Sequence, residues 1–127
     1  MRATRPDKVG VIVTEGLLPA PFSAVVWPGD KSVRVAVAGE IDLATSPRLQ
    51  VVMLDAIESA IPPADVRIDL TEVTFMDASG VGALVTAREA ARCRGVGFTV
   101  QNPHGVVLRI LDLLGLTEKL QLSQTAR

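Results

Sequence analysis

The chain has 127 residues, of which 48% are apolar, 21% charged and 3% aromatic. This is the composition of one globular domain with an aliphatic core. Thirteen Lys and Arg against fourteen Asp and Glu leave a formal net charge of −1, without a long run of either sign. Such a balance excludes a field strong enough to draw the protein to nucleic acid or to an acidic membrane surface.

Cysteine and histidine are each present once, as Cys93 and His104. One thiol cannot form an internal disulfide, and the pair cannot supply a structural zinc site. We expect Cys93 to pack as a small apolar side chain late in its helix. No segment reaches the roughly 20 apolar residues of a membrane span or resembles a secretory signal. The sequence therefore predicts a cytoplasmic protein without a metal site.

Residues 1–21 mix charges and prolines around one short apolar run, Val9–Val13. We interpret this segment as a loosely attached N-terminal arm, with an extra edge strand as the alternative. The domain itself is predicted to span residues 22–127.

Four strands are predicted in the rest of the chain. Phe22–Trp27 and Val33–Ala38 are separated by a Pro-Gly-Asp-Lys turn, which favours an antiparallel hairpin. Val66–Leu70 alternates apolar and polar residues with the period of a strand, and Val96–Val100 forms a further apolar run.

Three helices are predicted between and after these strands. Ser46-Pro47 has the pattern of an N-cap followed by proline at the first helical position. The second helix covers Gly80 to about Cys93 and ends at Gly95, and Asn102-Pro103 repeats the cap signal for the third. The order β-β-α-β-α-β-α indicates an α/β domain with a mixed sheet. Leu116–Leu122 is interpreted as a last short element.

Two carboxylates, Glu40 and Asp42, lie where the second strand ends, just before a capped helix. Neither carboxylate is predicted to lie in the core, and the simplest interpretation is that both belong to a solvated loop. The alternative is that the two carboxylates form part of a site that binds a partner.

A second cluster, Phe75–Gly82, places Asp77, Ser79 and two glycines where a strand gives way to a helix. Backbone N–H groups without partners and the positive end of the helix dipole favour an anion there, so a phosphate on Ser79 would be well placed. Alternatively, Asp77 or Ser79 is only an N-cap, and the glycines allow a tight turn. The segment has neither a Walker loop nor a nucleophile elbow.

His104 is interpreted as a lone surface histidine near the start of the third helix. A hydrolytic triad would require it to meet Ser79 and a carboxylate such as Asp42, without an elbow or an oxyanion motif to support that arrangement. The sequence therefore favours a surface histidine over a hydrolytic triad.

Three segments, taken together in this order and spacing, resemble the STAS domain of bacterial anti-sigma factor antagonists. They are Gly39–Thr45, Val66–Leu70 and Phe75–Leu84. The resemblance extends from about Phe22 to Leu122. It implies a STAS-like single domain with a mixed sheet of four to five strands and helices packed on one side.

The resemblance also implies a function. An unmodified family member binds an anti-sigma factor, typically a serine kinase of histidine-kinase-like fold, and so frees a sigma factor for transcription. That kinase phosphorylates the antagonist on the serine that corresponds to Ser79, and a phosphatase restores binding. Ala78 stands where many members carry a second serine, which leaves this phosphorylation site intact. The implied partner-binding residues are Glu40, Asp42, Thr45, Asp77, Ala78 and Gly80.

With this function, the protein is expected not to be an enzyme and to need no cofactor. It is expected to be a monomer or a weak dimer. Two other functions remain open. One is a constitutive STAS subunit of a transporter or signalling complex. The other is a small-ligand or nucleotide sensor that uses the helix start at Ser79 as an anion site.

Overall fold

The computed structural model describes residues 11–14, 22–117, 120 and 122–123. In chain order its strands are β1 (Val11–Thr14), β2 (Phe22–Trp27), β3 (Ser32–Ile41), β4 (Asp65–Met76), β5 (Gly97–Gln101) and β6 (Leu122–Ser123). Its helices are α1 (Ser46–Ser59), α2 (Ala78–Arg94) and α3 (Gly105–Leu113).

The strands form one mixed sheet in the order β1-β2-β3-β4-β5-β6. The pairs β1/β2 and β2/β3 are antiparallel, whereas β3, β4, β5 and β6 run parallel to one another. The predicted α/β class and mixed sheet are confirmed. The sheet has six strands because β1 extends one edge and the short β6 extends the other. Residues 11–14 thus form the extra strand that the sequence left as the alternative to a loose arm.

Alternate residues of the two central strands are buried in the core. They are Val33, Val35 and Val37 of β3 and Val66, Ile68 and Leu70 of β4. Helices α1 and α2 pack against each other, with α1 also on β2 and β3 and α2 on β4 and β5, while α3 contacts β4. Their apolar faces bury the sheet from water, which is the main source of stability in such a domain.

All three predicted helix starts are displaced, and α2 begins at Ala78 instead of Gly80. Helix α1 is capped by Thr45 instead of Ser46, which is its first residue. Helix α3 begins at Gly105, after an N-cap at His104, and the cap predicted at Asn102 is wrong. Asn102 has a φ of 58° and its side chain donates to Asp69, 3.2 Å away. This contact with β4 occupies the amide that the sequence pattern assigned to a cap.

Strand β4 continues beyond the predicted end at Leu70 as far as Met76. The register between β3 and β4 shifts twice, between Ala36 and Ala38 and between Gly39 and Glu40. After these irregularities Ile41 lies opposite Met76. The last residues of both strands therefore reach the same edge of the sheet.

Cys93 is exposed, so the prediction that it packs as a core residue is wrong. It lies on the side of α2 that carries Glu89 and Arg92, which form an exposed ion pair one turn apart. Within the described part of the chain, no helix combines the length and apolar character needed to cross a membrane.

Candidate functional site

Two loops lie side by side at the carboxyl ends of the parallel strands β3 and β4. One is the β3–α1 loop, residues 42–45, and the other is the β4–α2 junction around Asp77. The backbone N–H of Asp77 donates to the carbonyl oxygen of Ile41 at 3.1 Å, so the two segments are joined directly. This end of a parallel sheet is where binding sites form in α/β proteins.

Asp77 caps helix α2. Its Oδ1 accepts from the backbone N–H of Ser79 at 2.9 Å and, more weakly, from that of Gly80 at 3.4 Å. The Ser79 hydroxyl donates to the same oxygen at 2.5 Å. That hydroxyl bond is the main reason why the pKa of Asp77 lies below its usual value. The carboxylate thus stays ionised and holds the Ser79 side chain in place.

Gly80 sets how closely α2 approaches the sheet. A Cβ at this position would lie 2.6 Å from Cγ2 of Ile41 and 2.7 Å from Cγ of Met76. Both neighbours are buried, with 0% and 1% of their surface exposed. Only glycine allows the first turn of the helix, and with it Ser79, to sit this close to the ends of β3 and β4.

The β3–α1 loop is held by its own polar groups. Oδ1 of Asp42 accepts from the backbone N–H groups of Ala44 at 2.9 Å and Thr45 at 3.1 Å. The Thr45 hydroxyl donates to the carbonyl oxygen of Glu40 and accepts from the N–H of Asp42, both at 2.9 Å. Asp42 therefore shapes the loop as well as contributing charge, which the sequence did not indicate.

We use the name Ser79 surface for five of the exposed or half-exposed residues at this edge of the sheet. They are Glu40, Leu43, Phe75, Ala78 and Ser79. Leu43 is 79% exposed and Phe75 is 41% exposed, so this surface includes apolar side chains as well as the acidic Glu40. The exposed face of α2 continues it through Gly82 and Val85.

Among the six residues implied by the resemblance, four reach the protein surface and two do not. Glu40 and Ala78 are exposed, and Asp42 and Asp77 are half-exposed. Thr45 and Gly80 are buried, so they can shape the surface only from beneath. Leu43 and Phe75 were missed. In the sequence, Leu43 is an apolar residue in a polar loop and Phe75 an apolar residue near the end of a strand. Whether such residues are exposed depends on the final fold.

A separate polar cluster surrounds Asp69, which is only 5% exposed. Its carboxylate accepts from Arg34 Nη2 at 2.9 Å, from the Thr71 hydroxyl at 2.5 Å and from Asn102 Nδ2 at 3.2 Å. Burial alone would raise the pKa of Asp69, but these hydrogen bonds and one from the Thr71 N–H outweigh it and lower the pKa from 3.8 to about 2. A buried carboxylate with four donors stabilises the fold.

His104 lies beside this cluster, with Nε2 2.8 Å from the carbonyl oxygen of Thr71. Its ring is engaged there, whereas the Ser79 hydroxyl bonds to Asp77. The hydrogen bonds of the two side chains therefore do not join them into a triad. Among the described residues, no group of three or more His, Cys, Asp or Glu side chains could hold a metal ion.

Comparison with known proteins identifies the family. The model of the STAS domain matches residues 25–127, and the chain belongs to the STAS domain family. It is 29% identical over 98 residues to the anti-sigma-B factor antagonist of Bacillus subtilis, a match that covers 77% of this chain and 87% of that protein. Its identity to the anti-sigma-B factor antagonist of Listeria monocytogenes is 30% over 92 residues, covering 71% and 77%.

A solved structure has the same fold. It is an anti-sigma factor antagonist from Mycobacterium paratuberculosis, with 29% sequence identity and a TM-score of 0.75. The match covers 85% of this chain and 92% of that one. The predicted family and fold are both confirmed.

Proposed function

We propose that this protein is a cytoplasmic anti-sigma factor antagonist whose binding surface is switched by phosphorylation of Ser79. In its unmodified form it binds an anti-sigma factor, a serine kinase of histidine-kinase-like fold, and thereby frees a sigma factor for transcription. Phosphorylation of Ser79 by that kinase releases the antagonist from the anti-sigma factor, and a phosphatase restores binding by removing the phosphate. The observation that carries the proposal is a half-exposed serine, held by Asp77 at the start of α2, in a chain of this family.

The Ser79 surface has the character of a protein-binding site. Leu43 and Phe75 supply exposed apolar area, which is where contact energy in interfaces concentrates. The charges of the two segments that form this surface are acidic, because no Lys or Arg occurs in residues 35–47 or 72–87. Arg48 follows in the first turn of α1. A partner with apolar and basic side chains fits this combination. Its binding is then expected to weaken as salt is added.

Phosphorylation would change this surface without unfolding it. The ester oxygen of Ser79 can no longer donate to Asp77, and about −1.5 to −2 charges appear next to that carboxylate. The positive end of the α2 dipole favours a phosphate at this position within the domain. The loss of binding is therefore expected from bulk and desolvation, because a partner that packs closely on this surface would have to enclose a dianion.

The switch is tested by titration calorimetry with the anti-sigma factor. We expect Ser79→Ala to bind as tightly as the unmodified protein, and Ser79→Asp and the phosphorylated protein to bind at least about 30-fold more weakly, from a cost of about 2–5 kcal/mol. Ser59→Asp is the matched control, because Ser59 is an exposed serine at the far end of α1. Circular dichroism should be unchanged throughout. Equal affinities for the unmodified and phosphorylated forms would refute the switch and favour a constitutive STAS subunit.

The position of the interface is tested separately with two apolar residues of matched exposure. Leu43 is 79% exposed within the Ser79 surface, and Ile61 is 78% exposed beyond the end of α1. We expect Leu43→Asp to weaken binding more than about tenfold and Ile61→Asp to leave it unchanged. If Ile61→Asp weakened binding more than Leu43→Asp, the interface would lie elsewhere.

A further inference from the structure

A cleft of about 340 Å³ lies between the β2–β3 turn and the C-terminal end of α1. The buried residues that line it include Val33, Ala60 and Ala64, so its inner wall is apolar. Two exposed carboxylates also line it, Asp30 in the turn and Asp55 on α1. We call it the acidic cleft. It lies where β3 and β4 begin, at the opposite end of these strands from the Ser79 surface.

The charge of the acidic cleft is not balanced from within. Among the described residues, neither the Asp30 nor the Asp55 side chain has a hydrogen bond or an ion pair. No lysine or arginine is found among the described residues that line the cleft. The cleft therefore favours a group that is apolar along its length and positive at its tip. Arginine and lysine side chains have this form, because their aliphatic stems pack on apolar surface while the charged head remains at the rim.

Strand β1 brings the chain that precedes it to this cleft. Val11, the first residue of β1, lies opposite Val26, and Val26 lines the cleft. Because β1 and β2 are antiparallel, the chain enters β1 beside the end of β2 from which the β2–β3 turn departs. Residues 1–10 are therefore tethered next to the acidic cleft.

This tethered segment is basic. Residues 1–10 contain Arg2, Arg5 and Lys8 but a single acidic residue, Asp7. An extended chain rises about 3.3 Å per residue, so Lys8 can lie up to about 10 Å from Val11 and Arg5 up to about 20 Å from it. A short tether also gives an effective concentration of about a millimolar, at which weak contacts are sufficient.

We propose that residues 1–10 dock in the acidic cleft of their own chain. Basic side chains of the segment pair with Asp30 and Asp55, and their aliphatic stems cover the apolar wall. Ion pairs at an exposed rim are individually weak and are screened by salt, so the docking is reversible and depends on ionic strength. It uses the end of the sheet away from Ser79 and does not rest on the proposed switch.

A spin label on the segment tests the docking in the full-length chain. Thr4→Cys combined with Cys93→Ser leaves one thiol for a nitroxide, which broadens the NMR signals of nearby amides. We expect broadening at Asp55 and Ala60 in low salt, and none at Gly82 near the other end of the domain. The broadening at Asp55 and Ala60 should be lost at about 1 M salt, where the Debye length is about 3 Å. Signals at these two residues that are sharp in low salt would overturn the proposal.

Charge reversal separates docking from mere proximity of the label. Asp55→Lys should reduce the broadening at Ala60 by about half or more, because it replaces an attraction by a repulsion. Glu58→Lys is the matched control, since Glu58 is an exposed carboxylate on the same helix that does not line the cleft. It should leave the broadening unchanged, and circular dichroism should be the same for both variants. Equal effects of the two substitutions would show that the carboxylates of the cleft do not hold the segment.

A mixture of two isotopic forms distinguishes the segment of the same chain from that of a second copy. Spin-labelled chain without ¹⁵N is mixed with ¹⁵N-labelled chain that carries no nitroxide. The signals of Asp55 and Ala60 should then stay sharp, because each cleft is filled by its own segment. Broadening in the mixture as strong as within one chain would mean that the segment binds another copy, and the proposal would be wrong.

Discussion

Replacing Gly80 and Gly82 by alanine in turn isolates the steric constraint at the start of α2. The two glycines lie on the same helix, but a Cβ at position 82 would meet no atom within 4 Å, whereas one at position 80 would lie 2.6 Å from Ile41 and 2.7 Å from Met76. Each substitution gains about 0.5–1 kcal/mol of helix propensity. Only the one at Gly80 must also force apart buried side chains.

The steric cost follows from the surroundings of Gly80. Neither Ile41 nor Met76 can swing into solvent, since both are buried, and overpacking of this kind costs about 1–3 kcal/mol. We therefore expect Gly82→Ala to raise the free energy of unfolding by up to about 1 kcal/mol. Gly80→Ala should be less stable than Gly82→Ala by about 1–3 kcal/mol, because the gain in propensity cancels in the comparison.

Urea denaturation followed by circular dichroism measures both free energies under the same conditions. The slopes of the two transitions should agree, which would show that both variants unfold from the same compact state. Equal stability of the two variants would refute the close packing of α2 against β3 and β4. It would also remove the reason why Ser79 is held at this edge.

Further predictions concern single carboxylates and the N-terminal segment. Asp77→Ala should lower the free energy of unfolding by about 1 kcal/mol and Asp77→Asn by less, since asparagine also caps helices. Asp42→Ala should likewise lower the free energy of unfolding, measured by urea denaturation, by about 1 kcal/mol. Its affinity for the anti-sigma factor must therefore be measured under conditions in which the variant is folded. The pKa of Asp69 is lowered from 3.8 to about 2, so ionised Asp69 should add about 2 kcal/mol to the free energy of unfolding. This contribution should be complete above pH 4 and disappear towards pH 2. Asp69→Asn should abolish this dependence of stability on pH. A chain that begins at Pro21 lacks β1, which adds four residues to one edge of the sheet, and it should still fold. A large loss of melting temperature would contradict this.

The sequence predicted the elements whose signals are local. The turn after Trp27 and the alternating valines of β3 indicated the hairpin, and Gly95, with a φ of 74°, ends α2 as expected. The cluster around Asp77 and Ser79 was also found, because a cap and a helix start are encoded within a few residues.

What the sequence could not predict depends on where the folded chain places a side chain. Asn102 has the composition of a cap, yet it donates to Asp69, 33 positions earlier in the chain. Thr45 was expected to contact a partner, yet its hydroxyl is enclosed by the loop that it organises. Leu43 is an ordinary apolar residue in the sequence, and only the folded loop places it at the surface.

The strand order has a consequence for how the protein is made. Each strand pairs only with strands that are its neighbours along the chain, and α1 packs on α2, the next helix. Contacts between close segments form quickly, because little chain entropy is lost in closing the loops. The sheet can therefore grow strand by strand as the chain leaves the ribosome, with each new strand covering the edge of the one before it. We expect such a nascent chain to spend little time with an unpaired apolar edge, which limits aggregation during synthesis.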